Sequence, residues 1–259
     1  MAGITFGKRI YRLDTVPSTQ DFLKEQFLQG EAEGAIAVAL EQTLGKGRRG
    51  RAWDSPAGKG LWMSMLIIPG GPESLWTWVP LWAGIVAKKA IGELLSKRQI
   101  QKEIMLKWPN DLMMDELKLG GIIAEQVTDT KNHQAVVLGL GINLLQRREE
   151  FPPHIRGRVT SLLDATDQEF SPDALLEKLI LEAEEVLPLL KPVDSTKIKE
   201  EWLHSAWGLE EPLRIFSGDK AYEGTFSGLG PYGEICLRRA DGEENYYSSA
   251  EGIQRITTS

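Results

Sequence analysis

The chain has 259 residues, 42% hydrophobic and 26% charged, which is enough apolar material for one large domain or one large plus one small. Its formal net charge of −7 argues against a general nucleic-acid binder, which would be basic overall or over one face. The one cysteine, Cys236, rules out an internal disulfide framework and reads as a small buried apolar residue. The opening MAGITFGKRIYRLDT lacks the apolar run of a signal peptide, and no stretch approaches a membrane span, so a soluble cytoplasmic protein is the default expectation.

In chain order, Ser18 and Thr19 are good helix caps, and Phe22, Leu23, Phe27 and Leu28 then recur at helical spacing up to Gly30. GAIAVALEQT reads as a buried strand ending near Gln42, and GLWMSMLIIP as another closed by Pro69. SLWTWVPLWAGIVAKKAIGELLSK predicts one long, largely buried helix, with Pro80 in its first turn and lysines towards its end. IMLKWPNDLMM is a strand entering a Pro-Asn-Asp turn, and KLGGIIAEQV and QAVVLGLGINLL are two more strands. Helices are predicted from Pro172 to about Leu190 and from about Ser195 to Trp207. After Gly208, short strands with glycine and Asp-Gly turns predict a small barrel. The expectation is α+β, with a unit over 1–209 and an all-β unit over 210–259.

The most concentrated signal is Gly45-Lys-Gly-Arg-Arg-Gly-Arg51, with four cations in seven residues. Gly45, Gly47 and Gly50 match a dinucleotide fingerprint, but RAWDSPAGKG follows and cannot open the helix that fingerprint needs. A phosphate-binding P-loop fails because Arg51-Ala52 stand where Lys-Ser or Lys-Thr belong. Arg48, Arg49, Arg51 and Trp53 could serve a nucleic acid, but no helix-turn-helix precedes them and no second basic cluster reaches this density. A merely solvated loop is an improbable use of so many cations directly after a buried strand. What remains is a loop whose cations grip a polyphosphate and whose glycines let it close over a ligand.

Other segments supply candidates. In Lys107-Trp-Pro-Asn-Asp-Leu112, Lys107 is either a phosphate partner or a strand-end cation, and Asp111 either holds Mg²⁺ or caps the turn. Lys118 precedes Gly120 and Gly121, which weaken a strand unless something approaches its backbone closely; by itself Lys118 would read as a surface lysine. Gly139 and Gly141 make room for a ligand or form a bulge.

GKGRRGRAW, KWPNDL, KLGGIIAE and GLGIN, in this order after STQ, resemble the biotin–protein ligases, the biotin–[acetyl-CoA-carboxylase] ligase family. The resemblance runs over nearly the whole chain. It implies a class II synthetase-like catalytic domain, a mixed or antiparallel sheet with helices packed on it, plus a small SH3-like C-terminal domain. It implies two substrates, biotin and ATP with Mg²⁺, and a biotinyl-5′-AMP intermediate. The biotin then passes to a lysine of a biotin carboxyl carrier protein. Carried over by motif, Ser18, Thr19, Gln20 and Gln42 would line the biotin ring pocket, with Lys46, Gly47, Arg48, Lys118, Gly121 and Gly141 completing the biotin site. Arg48, Arg51, Trp53, Lys107, Asn110 and Asn143 would face ATP, Asp111 the metal, and Arg48, Lys118 and Lys107 would carry the chemistry. Two positions depart from the family pattern: Lys46 replaces a usual arginine, and Gln20 a usual asparagine.

Some relatives carry an N-terminal DNA-binding module. There is no room for one ahead of Ser18, so a monofunctional enzyme that binds neither DNA nor membrane is expected. A homodimer stays open, since some relatives pair through sheet edges. Competing readings are a lipoate–protein ligase of the same architecture, a phosphate-contacting nucleic-acid regulator, and a ligand sensor without turnover.

Overall fold

The first structural unit is a strand, helix and strand: β1 (Ile10–Val16), α1 (Thr19–Leu28) and β2 (Ile36–Gln42). The two strands pair in parallel, with Ile10 opposite Ile36 and Val16 opposite Gln42. The computed structural model describes residues 5–256, so the outer limits of the expected units, 1 and 259, lie outside the described residues. β1 has no counterpart among the predicted elements. As the sheet's edge it is only half-buried, Tyr11 and Leu13 facing α1 while Arg12 and Asp14 are polar, so its apolar signal is weak.

Five further strands complete the sheet: β3 (Gly60–Ile67), β4 (Met105–Lys107), β5 (Asp111–Met114), β6 (Leu117–Thr128) and β7 (Gln134–Asn143). The order is β1-β2-β3-β7-β6-β5-β4, and every pair except β1 with β2 is antiparallel. The predicted long helix is broken in two. A 3₁₀ turn covers Glu73–Trp78, and α2 (Val79–Lys97) begins with Pro80 in its first turn. α3 (Leu162–Thr166), capped by Ser161, is too short to leave a periodic trace in the sequence. α4 (Pro172–Val186) and α5 (Ser195–Leu203) are shorter than predicted, because 3₁₀ and simple turns replace their last residues.

The two faces of the sheet carry different loads. In β7, Val136, Leu138, Leu140 and Ile142 join Met63 and Met65 of β3 against Trp82, Val86, Leu179 and Ala183 of α2 and α4. The alternate residues turn to the other face, where Leu23 and Phe27 of α1 pack on Ala37, Leu66 and Val137. Fully burying side chains of this kind contributes roughly 1.5–3 kcal/mol each. α1 covers only part of that face. Beyond it the strands present Ser64, Gly121, Gly139 and Gly141, and the side chains of Gln20 and Trp53 rest against this run of small residues.

A second, antiparallel sheet is built from β8 (Pro212–Ser217), β9 (Lys220–Leu229), β10 (Ile235–Arg238), β11 (Glu244–Tyr247) and β12 (Gly252–Arg255), in the order β11-β10-β9-β8-β12. Its Leu213, Phe226, Leu229 and Ile235 share one buried cluster with the helical layer. Trp108 and Trp78 donate their indole N–H to the Gly233 and Pro231 carbonyls, at 2.8 and 3.1 Å. Cys236 is buried and free, as expected. No helix among the described residues is long and apolar enough to cross a membrane.

Candidate active site

At one end of this face lies a network of largely buried polar side chains. Ser18 caps α1, its hydroxyl accepting from Gln20 N at 3.2 Å. The backbone N and hydroxyl of Thr19 both donate to Gln42 Oε1, at 2.9 and 3.0 Å. Gln42 Nε2 donates to Ser55 Oγ at 3.0 Å. Gln20 Nε2 donates to the Val137 carbonyl at 2.7 Å, and its Oε1 accepts from Ser64 Oγ at 3.0 Å. Ser64 and Thr19 hydroxyls lie 2.8 Å apart. Thr19, Gln20, Ser64 and Ser55 are all at least 96% buried, so their donors and acceptors are oriented by one another rather than by water. Gly139 makes Gln20 fit, since a Cβ there would lie 2.7 Å from Gln20 Oε1.

Next along the face, Gly121 and Gly141 sit opposite one another across β6 and β7 and form a floor. The Trp53 indole lies on it. A Cβ at Gly121 would come within 3.1 Å of the ring, and one at Gly141 would collide with Nε1. That Nε1 is buried and has no hydrogen-bond partner among the described residues. An unpaired buried donor of this kind costs about 1–3 kcal/mol, which marks a place where an acceptor belongs.

Lys118 borders the floor. Its Nζ is 2.6 Å from Asp111 Oδ1 and 5.1 Å from the Trp53 ring centre. The neighbouring chain steadies this lysine, because Lys118 N donates to Arg158 O and Thr160 N to Lys118 O, both at 2.9 Å. Asn143 Nδ2 donates to Thr160 O at 2.9 Å, tying the end of β7 to the same segment. Lys107 stands opposite Asp111 in the β4–β5 pairing, with its Nζ 4.1 Å above the Trp207 ring. Burial lowers the pKa of Lys107 from the ordinary lysine value, with Asp111 and Glu116 opposing the shift. Asn110 anchors the turn, Nδ2 donating to Ile122 O at 2.8 Å.

The basic loop forms a small hairpin. Lys46 bridges to Ala52, and Gly47 N donates to Arg51 O at 2.8 Å. Its cations are shared among different partners. Lys46 Nζ is 2.5 Å from Asp21 of α1. Arg48 Nη1 donates to Asn110 Oδ1 at 3.3 Å, and burial followed by the repulsion of Arg49 lowers its pKa while Asp111 opposes the shift. Arg49 and Arg51 reach Glu251 in the turn that enters β12.

The fold therefore gathers Ser18, Thr19, Gln20 and Gln42 at one end, and Arg48, Trp53, Lys107, Asn110, Asp111, Lys118, Gly121 and Gly141 at the other. Lys46 and Gly47 lie on the loop between them, while Arg51 is turned to Glu251 and Asn143 to Thr160. Ser64 and Ser55 go unmarked in the sequence. The signal for Ser64 was a lone hydroxyl in the apolar run GLWMSMLI, a costly residue to bury without partners. Among the described residues no group of three or more His, Cys, Asp and Glu side chains could hold a metal ion.

A family model, the biotin/lipoate A/B protein ligase family, matches residues 13–143. The chain is 30% identical to the bifunctional ligase/repressor BirA of Escherichia coli over 235 residues, covering 90% of this chain and 70% of that protein. It is 27% identical to the biotin–[acetyl-CoA-carboxylase] ligase of Paracoccus denitrificans, covering 83% of this chain and 88% of that one. Its fold matches the biotin protein ligase from Aquifex aeolicus, solved in complex with biotin and ATP, with a TM-score of 0.81, 30% identity and coverage of 96% of this chain and 100% of that one. From its motifs, its fold and these relatives, the chain belongs to the biotin/lipoate A/B protein ligase family, among the biotin–protein ligases.

Proposed function

We propose that this ligase activates biotin with ATP to biotinyl-5′-AMP and transfers the biotin to a lysine of a biotin carboxyl carrier protein, acting in the cytoplasm. One juxtaposition carries the reading. The donors and acceptors of the buried Thr19, Gln20 and Ser64 and the half-buried Gln42 share one face of the sheet with the Lys118–Asp111 pair, and the unpaired Trp53 Nε1 lies on its glycine floor. The polar end suits the ureido ring of biotin, which presents two N–H donors and one carbonyl acceptor.

In the first step a biotin carboxylate oxygen attacks the α-phosphorus of ATP. The bond to the β-phosphate oxygen breaks and pyrophosphate leaves. Two anions must meet, so cations are needed where charge gathers. Lys118 stands at the biotin carboxylate and the transferring phosphate, Arg48 over both, and Lys107 and Asn110 on the nucleotide side with Trp53 against the adenine. Mg²⁺ keeps few protein ligands and shares the rest with substrate phosphates, so one carboxylate, Asp111, fits it; when bound it offsets triphosphate charge. In the second step the lysine amine attacks the acyl carbon, the C–O bond to AMP breaks, and the amine loses its proton. The basic loop shields the water-sensitive anhydride between the steps. Arg51 and Asn143 would join the nucleotide side on release from Glu251 and Thr160, their partners here.

Pyrophosphate–ATP exchange with biotin and with lipoate tests the reading. Exchange driven by biotin is expected. Exchange driven by lipoate alone would replace biotin with lipoate as the substrate, and exchange with neither would remove the enzyme reading.

A further inference from the structure

Neighbouring arginines of the basic loop are committed to opposite partners. Arg48 faces inward to Asn110. Arg49 follows with φ +58°, the left-handed region that non-glycine residues seldom adopt. Its Nη1 is 2.6 Å from Glu251 Oε1, and its Nη2 donates to Ser249 Oγ at 3.2 Å, a contact spanning 200 positions of sequence. Arg51 Nη2 donates to the Glu251 carbonyl at 2.9 Å. The receiving turn is itself held firmly. Glu251 N donates to Phe216 O at 2.8 Å, and its carboxylate accepts from Gly218 N at 3.3 Å. The turn leads directly into β12, which pairs with β8.

We propose that the Ser249–Glu251 turn is a docking point for the basic loop, and that Glu251 is a positioning residue which, through Arg49, keeps Arg48 turned into the site. What Arg48 does there rests on the proposed biotin activation; the docking itself does not. A loop with three glycines in seven residues would otherwise sample many conformations. Pinning Arg49 to the turn that enters β12 narrows that ensemble while leaving Arg51 free to exchange partners, and the left-handed Arg49 places its neighbour Arg48 on the opposite side. The small β unit thereby raises the population of the loop conformer that serves adenylation, without contacting substrate through Glu251. The Arg49 and Glu251 side chains are 37% and 44% exposed, so the docking is weak enough for the loop to open.

Limited trypsin digestion without substrate tests the docking, because trypsin cuts after the loop arginines. Glu251→Ala is expected to be cut in the loop about fivefold faster than the unaltered chain. The charge-reversed pair Arg49→Glu with Glu251→Arg should be cut about fivefold more slowly than Arg49→Glu alone, which lacks the same trypsin site. Urea midpoints measured in parallel separate loop release from general unfolding. Equal cutting of Glu251→Ala and the unaltered chain, or no recovery in the reversed pair, overturns the docking. In biotin-dependent pyrophosphate exchange at saturating biotin, Glu251→Ala should lose about fivefold in kcat, and the reversed pair should recover. Faster cutting with unaltered exchange overturns the positioning role. An unaltered chain without exchange overturns the functional reading and that role with it, while the digestion rates still decide the docking.

Discussion

Lys118 Nζ lies 2.6 Å from Asp111 Oδ1, across the β5–β6 pairing, and 5.1 Å from the Trp53 ring centre. One ammonium is therefore shared between a carboxylate and an aromatic face at the edge of the glycine floor. A substrate carboxylate or phosphate arriving there would compete with Asp111 for Lys118, and would free Asp111 for a metal ion.

Lys118→Ala should therefore reduce adenylate formation by roughly 10²–10³-fold, as loss of a charge-stabilising group in a transition state does. Its effect on folding should stay near 1 kcal/mol, because the pair is partly solvated. Exchange kinetics together with urea denaturation check both halves. Arg48→Glu should lose exchange at least as severely, since it reverses the charge that faces Asn110 and Asp111.

Gly141→Ala should cost about 1–3 kcal/mol of stability, because the new methyl collides with the Trp53 indole. Most of that cost should vanish in a Trp53→Ala background, where the collision has no partner. A double-mutant cycle by denaturation measures the coupling. Additive costs would show that the indole does not rest on this floor.

Gln20→Asn restores the residue usual in the family but shortens the side chain by one methylene. The amide can then no longer reach both Val137 O and Ser64 Oγ, which it meets at 2.7 and 3.0 Å. A loss of about 1–2 kcal/mol in stability is expected. Ser64→Ala should cost a similar amount by leaving Gln20 Oε1 without its donor, and both changes should weaken biotin binding by calorimetry.

Burial lowers the pKa of Lys107, so as pH rises it loses its proton earlier than an ordinary lysine. A neutral lysine cannot offset phosphate charge. Exchange measured as kcat/KM for ATP, which reports the free enzyme, should fall on the alkaline side through the lowered value. Lys107→Arg keeps the charge at every accessible pH and should move that limb upward, even if the maximum rate falls. An unchanged alkaline limb would assign it to another group.

The sequence by itself determined the fold class, most of the strands, the all-β tail and the concentration of cations in one loop after a buried strand. Periodicity, turn residues and motif order are local properties, readable without coordinates. It did not reveal β1, whose edge position weakens the apolar signal, or the break at Trp78–Val79 inside an unbroken apolar run. It could not reveal that Arg48, Arg49 and Arg51 serve different partners, since Asn110 and Glu251 are distant in sequence. Nor could it show that Ser64 completes the polar pocket or that Trp53 lies on Gly121 and Gly141. Those facts depend on which strand faces oppose which loops, and only long-range packing decides that.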